Sequence, residues 1–231
     1  MRVSVVADEG DSKTGFVGEH LRARGAELTM FFRDELAAGG DPLAAADLLV
    51  LLGSERAVHD PAHRAVVARE QGLVASAERR GLPLLAVCYG AQLVAGMLGG
   101  RVTPAPVAEI GWQRIESDEP SLVAPGPWFE LHYDRFSAPP GVPLVARSEA
   151  APQAFVHGRT LAVQFHPEVD AEIVSEWVHL DRAKLAALGV DVEALLAETA
   201  AVEAAASARC AELLERFLDK VATRPVLPTR D

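Results

Sequence analysis

The sequence predicts an α/β protein: a doubly wound, mostly parallel sheet with helices on both faces. An antiparallel, hairpin-rich second half and a C-terminal helical extension follow. Three observations carry this expectation. Short apolar runs alternate with helix-length stretches ahead of Arg101, the pattern of βαβ units. From Arg101 to Glu168, short β-like pieces alternate with Pro/Gly turns. Beyond Glu168 the apolar residues recur at helical spacing.

The elements follow in order. Val3 to Ala7 reads as a buried strand, and Gly15 to Arg24 as a helix closed by Gly25. Glu27 to Phe32 is a second strand, and Asp47 to Gly53 a third. Val66, Val67, Leu73, Val74 and Ala77 place a helix over residues 63–79. Leu84 to Val87 is a fourth strand, feeding a helix after Gly90. In such sheets ligands collect at the carboxyl ends of the strands, where Gly53 and Cys88 fall. In the second half, β-like pieces cover Ile110–Ile115, Phe129–Phe136, Leu144–Arg147, Ala154–His157 and Leu161–Phe165. Asp170 caps a helix through Leu180, Gly189 closes a further short one, and Asp191 caps a long helix to about Ala222. The stripe Cys210, Leu213, Leu214, Phe217, Leu218 and Val221 on that last helix covers the core, in preference to serving as a docking face. No Ser/Gly linker or internal repeat is visible. The expected organisation is a domain over 1–180 with a helical extension, 181–231, packed on it.

A net charge of −11 without a Lys/Arg cluster argues against nucleic acid and anionic membranes as partners. No apolar run approaches membrane-spanning length, and the N-terminus enters a strand without a signal-type apolar core, so a cytoplasmic location is expected. Cys88 and Cys210 are far apart and outside any Cys/His cluster, which excludes a disulfide framework and offers no metal motif.

The chemistry gathers at two places. The strand Pro83 to Val87 ends in Cys88-Tyr89-Gly90-Ala91-Gln92, an apolar strand with a thiol on a small-residue turn into a helix: a nucleophile elbow. Val163-Gln164-Phe165-His166-Pro167-Glu168 then supplies an imidazole and, two residues on, a carboxylate on the same side of an extended segment. A lone cysteine after an apolar run reads as core, a lone histidine as structural, and Glu168 alone as a helix cap. Together they read as a cysteine hydrolase. A helix N-terminus favours the thiolate, and an imidazole takes its proton and returns it to a leaving amine. One oxyanion donor is the N–H of Tyr89, and the other comes from Gly53-Ser54.

With Gly53 at a strand end, Cys88-Tyr89-Gly90-x-Gln92, Glu109-Ile110-Gly111-Trp112 and His166-Pro167-Glu168, residues 1–180 resemble class I (triad-type) glutamine amidotransferases. The stand-alone, GMP synthetase-like branch fits best, and the Trp177-containing helix fits it too. The resemblance implies a flavodoxin-like amidotransferase fold and no cofactor. It implies that Cys88 attacks the glutamine side-chain amide, with His166 as base and acid and Glu168 orienting it. Ammonia leaves, and water hydrolyses the glutamyl thioester. Gln92 and backbone groups around Gly53 and Leu131-His132-Tyr133 would hold the substrate. The acceptor would sit on a separate synthetase subunit.

Two segments depart from the family pattern. Gly53-Ser54-Glu55 replaces Gly-Gly-Pro, where a left-handed backbone would strain Ser54, and Leu131-His132-Tyr133-Asp134 replaces a Ser-His-Gly-Asp-like segment. These departures motivate a second reading, a stand-alone hydrolase of γ-glutamyl amides or peptides using the same triad. A third, a non-catalytic regulatory subunit, is disfavoured by the intact Cys, His and Glu.

Overall fold

Central parallel strands must be apolar on both faces, because helices cover each side. A computed structural model describes residues 1–36 and 40–227, and its inner strands β1 (Arg2–Ala7), β3 (Leu48–Leu51) and β4 (Leu84–Val87) are buried almost throughout. With β2 (Glu27–Phe32), β5 (Val102–Ser117), β6 (Gly126–Phe136), β7 (Leu144–Arg147), β8 (Pro152–His157) and β9 (Thr160–Val163), they form a nine-stranded sheet ordered β2-β1-β3-β4-β9-β8-β7-β5-β6. Neighbours from β2 to β9 run parallel, and those from β9 to β6 antiparallel.

Successive residues of a strand point to opposite faces, so each inner strand feeds two cores. On one face Val5, Val50 and Val87 meet Phe16 and Leu21 of α1 (Gly15–Ala23) and Leu213, Leu214 and Phe217 of α5 (Val192–Lys220). On the other, Leu49, Leu51 and Ala86 meet Val67 and Val74 of α2 (Arg64–Arg79) and Leu93 and Val94 of α3 (Tyr89–Met97). Cys210 is fully buried in the first core, and burial pushes its thiol well above the ordinary value. The apolar stripe of the last helix thus packs on the sheet.

Three elements differ from the sequence expectation. The ribbon of β5 and β6 is longer than the pieces 110–115 and 129–136, with a register shift between Pro104 and Glu109. Pro104 and Pro106 cannot donate to a ladder, which hides the strand from a pattern reading. The second difference is α4 (Ala171–Ala187), one continuous helix across Leu180 where two short ones were expected. The Asp170 carboxylate caps it by accepting the Ile173 N–H at 2.8 Å, and the Asp181–Lys184 stretch carries no breaker. Third, β9 ends at Val163, short of Phe165. The Val163 carbonyl accepts the Cys88 N–H at 2.8 Å, and the chain then turns so that the His166 N–H bonds the Phe129 carbonyl at 2.8 Å. A smaller core of Phe129, Ile173, Val174, Val178, Leu185 and Leu195 fastens α4 and the start of α5 to the ribbon.

Candidate active site

Strand β4 delivers Cys88 to the N-terminus of α3. Its backbone, at φ 49° and ψ −106°, makes it the one non-glycine residue with positive φ among the described residues. Such a backbone costs on the order of 1–3 kcal/mol and persists only where the surroundings enforce it. Here Val163 accepts its N–H, and its carbonyl accepts the Gln92 N–H at 3.0 Å. Gly90 permits the turn, because a Cβ there would lie 2.7 Å from the Leu51 carbonyl oxygen. The thiol therefore projects where the first N–H groups of α3 have no intrahelical partner.

The register of β4 against β9 pairs Val87 with Val163, so Cys88 and His166 leave adjacent parallel strands on the same edge. His166 Nδ1 lies 2.7 Å from Glu168 Oε1, both side chains being buried. Burial disfavours the charged imidazole, but Glu168 and Cys88 outweigh it and hold His166 well above the ordinary histidine value. Glu168 is fixed by its carbonyl, which accepts the Phe16 N–H at 2.8 Å. Gln164 Nε2 lies 3.5 Å from Cys88 Sγ and donates toward it. This arrangement holds a proton on the imidazole beside Cys88, the cationic neighbour that a thiolate nucleophile uses.

A cavity of about 520 Å³ opens over these groups. Gly53, Ser54, Cys88, Gln92, Leu131, His132, Tyr133, His166 and Glu168 all line it, and Asp11, Trp177, Asp181 and Lys184 extend its wall. Gly53 is where the third strand's loop passes the reacting groups: a Cβ there would sit 2.9 Å from His166 Cε1 and 3.6 Å from Cys88 Cβ. Ser54 has no left-handed backbone, so the strain considered for it does not arise. Its Oγ donates to Asp8 Oδ2 at 2.6 Å and accepts the Arg56 N–H at 3.1 Å. Glu55 is exposed at the cavity rim.

Not every side chain singled out is free to meet a substrate. The Tyr89 hydroxyl points away and donates to Glu70 Oε2 at 2.6 Å, leaving its backbone N–H at the elbow. Gln92 is buried, its amide donating to the Asp134 carbonyl at 3.1 Å and to Gln164 Oε1 at 3.2 Å. His132 turns inward, with Nε2 3.2 Å from both Glu109 Oε2 and Glu130 Oε2. Burial lowers its pKa, but the two carboxylates prevail and raise it to about 10; burial raises Glu130 to about 7.

Sequence reasoning gave no role to Gln164, Asp11 or the Arg33–Glu70 pair. Gln164 carried a signal, since it stands two residues before His166 at the end of the same apolar run. Among the described residues no group of three or more His, Cys, Asp or Glu is placed to hold a metal, and no helix is long and apolar enough to cross a membrane.

Residues 5–175 match the family model for the class-I glutamine amidotransferases. The glutamine-hydrolysing GMP synthase of Thermus thermophilus is 35% identical over 184 residues, covering 71% of this chain and 33% of its own length. That of Aeropyrum pernix is 30% identical over 190 residues, 76% of this chain and 36% of its own. The chain thus spans about a third of the length of these curated relatives. Among solved structures, a glutamine amidotransferase of Thermotoga maritima superposes with a TM-score of 0.87 at 24% identity, over 95% of this chain and 99% of that one. One from Methylobacillus flagellatus gives 0.81 at 25% identity, over 100% and 98%.

Proposed function

Because the chain belongs to the class-I glutamine amidotransferase family, we propose that Cys88, His166 and Glu168 hydrolyse the glutamine side-chain amide through a glutamyl thioester. The Cys88 thiolate attacks the amide carbon, and the developing oxyanion meets the N–H of Tyr89 and one from the Gly53–Ser54 loop. The carbon–nitrogen bond breaks as His166 gives its proton to the departing ammonia. Water then attacks the thioester with His166 as base, releasing glutamate and the thiolate. Glu168 keeps the imidazole oriented throughout.

The observation that carries this reading is the enforced backbone of Cys88, one strand over from a buried His166–Glu168 pair at 2.7 Å. The Gly53 loop, Gln92 and Leu131-His132-Tyr133 serve as substrate wall, mainly through backbone groups, because the Gln92 and His132 side chains are engaged elsewhere. Residues 181–231 act as an extension of the catalytic domain over 1–180: α4 runs across the boundary and brings Asp181 and Lys184 to the cavity. Ammonia passes to an acceptor held by a separate synthetase subunit, in the cytoplasm. What supports an ammonia acceptor is the likeness to glutamine-hydrolysing GMP synthases, of whose length this chain matches about a third.

The test is glutamate and ammonia release from L-glutamine by the purified chain beside Cys88→Ala. Cys88-dependent release is expected, and release that survives the substitution would overturn the assignment. The cavity favours one further reading. At about 520 Å³ it lies within the range of sites for ligands larger than an amino acid, and its outer wall carries Tyr133 with Lys184 Nζ 3.4 Å from the ring centroid. A γ-glutamyl amide with a larger leaving amine would fill it. Turnover of such amides above glutamine would select this reading, and equal or better glutamine turnover would remove it.

A further inference from the structure

Behind the loop that carries Gly53 lies a buried ionic group with no part in the triad. Arg33 follows β2, Glu70 lies on α2, and both side chains are fully buried. Arg33 Nε donates to Glu70 Oε1 at 2.7 Å, Nη1 lies 3.2 Å from Asp8 Oδ2, and Nη2 donates to the Leu52 carbonyl. The other Glu70 oxygen accepts the Tyr89 hydroxyl at 2.6 Å, and the Arg33 guanidinium lies over the Tyr89 ring, 5.1 Å from its centroid. Asp8 holds Ser54 at 2.6 Å and also binds Arg56.

One carboxylate therefore reaches both walls of the site. Through Oε2 it grips the residue after Cys88; through Oε1 and Arg33 it grips the carbonyl just before Gly53. A charge pair wholly out of water is costly, and apolar residues of similar size would join the helix to the sheet as well. Only a directional network fixes two backbone segments at a set separation. Burial pushes the Glu70 carboxyl up while Arg33 and Tyr89 pull it back, and burial with Glu70 pushes the Tyr89 phenol up, so it remains a donor. The loop has Ser54-Glu55 where the family pattern places a stiffening proline.

We propose that Arg33 and Glu70 are positioning residues that set the spacing between the two oxyanion donors, the Tyr89 N–H and an N–H of the Gly53–Ser54 loop. The inference rests on the acyl-transfer reading above. It concerns the hole, not the identity of the substrate.

Two reactions at Cys88 separate hole from thiol. With p-nitrophenyl acetate the sulfur attacks the ester carbonyl through an oxyanion, the carbon–oxygen bond breaks, and nitrophenolate leaves. With iodoacetamide the sulfur displaces iodide and no oxyanion forms. Glu70→Gln keeps the volume and removes the charge; Tyr89→Phe keeps the ring and removes one strut. Glu70→Gln is expected to slow Cys88 acylation about 10- to 100-fold while alkylation stays within about twofold, and Tyr89→Phe to slow acylation less. Cys88→Ala supplies the background, and circular dichroism establishes folding. If Glu70→Gln does not fold, Tyr89→Phe decides. Equal losses in both reactions, or no loss of acylation in a folded variant, overturn the inference. Glutamine turnover by the unaltered chain is followed in parallel: its absence counts against the glutamine reading, while the ratio of the two reactions still judges the hole.

Discussion

The His166 imidazole stands edge-on against the Trp177 indole, with ring centroids 4.9 Å apart and planes at 70°. Trp177 Nε1 donates to Asp11 Oδ1 at 3.0 Å, so α4 both walls the histidine from solvent and restrains a carboxyl beside the triad. Burial raises the Asp11 pKa, and the indole bond works against that rise. Trp177→Phe should keep the edge contact and leave kcat/KM for glutamine within about threefold. Trp177→Ala should admit water to His166 and lower it about tenfold. Steady-state kinetics on both variants decide; equal values would mean that the wall has no part in turnover.

The proton on His166 is a stability term as well as a catalytic one. Its folded pKa stands above the usual 6.5 because Glu168 and Cys88 outweigh burial. That stabilisation is complete below 6.5 and is lost as pH rises through the folded value. Glu168→Gln should weaken it and slow Cys88 alkylation at neutral pH about tenfold, through fewer imidazolium–thiolate pairs. Thermal unfolding against pH should flatten in the same variant. An unchanged alkylation rate would show that Glu168 does not govern the pair.

The parts of this molecule that the sequence discloses are those whose cause is local. Leu48–Leu51 and Leu84–Val87 are continuous apolar runs because both faces are covered, and Cys88-Tyr89-Gly90 spells its own turn. His166 and Glu168 are two residues apart in the chain, so their pairing is visible without the fold, although a turn at Pro167-Glu168, not the expected extended segment, brings them together. Arg33 and Glu70, 37 positions apart, meet only once α2 has packed over β2 and β3. Glu109 and Glu130 carry no local sign of a buried cluster; it forms because ribbon register sets Glu109 opposite His132. The break expected at Leu180 was inferred from capping signals, yet helix propensity through Lys184 carries α4 on to Ala187.

That ribbon cluster sets a second pH dependence. Burial raises Glu130 from 4.5 to about 7, so between those values the folded chain binds more protons than the unfolded one. His132 is raised from 6.5 to about 10 and acts in the same sense over its own window. Stability from the cluster should therefore fall as pH rises from 4.5 toward 10, with each group contributing on the order of a few kcal/mol. Glu130→Gln should remove the part between 4.5 and about 7 and shrink the upper part, because Glu130 is one of the two carboxylates that raise His132. Denaturant titrations across this range are the check, and a variant whose lower slope equals that of the unaltered chain would refute it.

Gly53 offers the sharpest separation of stability from function. A methyl group there would sit 2.9 Å from His166 Cε1, closer than carbon atoms tolerate, and 3.6 Å from Cys88 Cβ. Something must yield, and Leu52 before it is held by Arg33 while Ser54 after it is held by Asp8. The movable partner is the imidazole, whose displacement lengthens the 2.7 Å bond to Glu168 and moves the ring relative to Cys88. Overpacking of this kind costs about 1–3 kcal/mol, which a folded domain tolerates. A catalytic group displaced by a comparable distance costs about a hundredfold in rate. Gly53→Ala should therefore stay folded with a modestly lower Tm while kcat on glutamine drops about a hundredfold. Differential scanning calorimetry beside a glutaminase assay reads both; retained kcat would place the His166 ring farther from the loop, and an unfolded chain would place the constraint in folding rather than in the site.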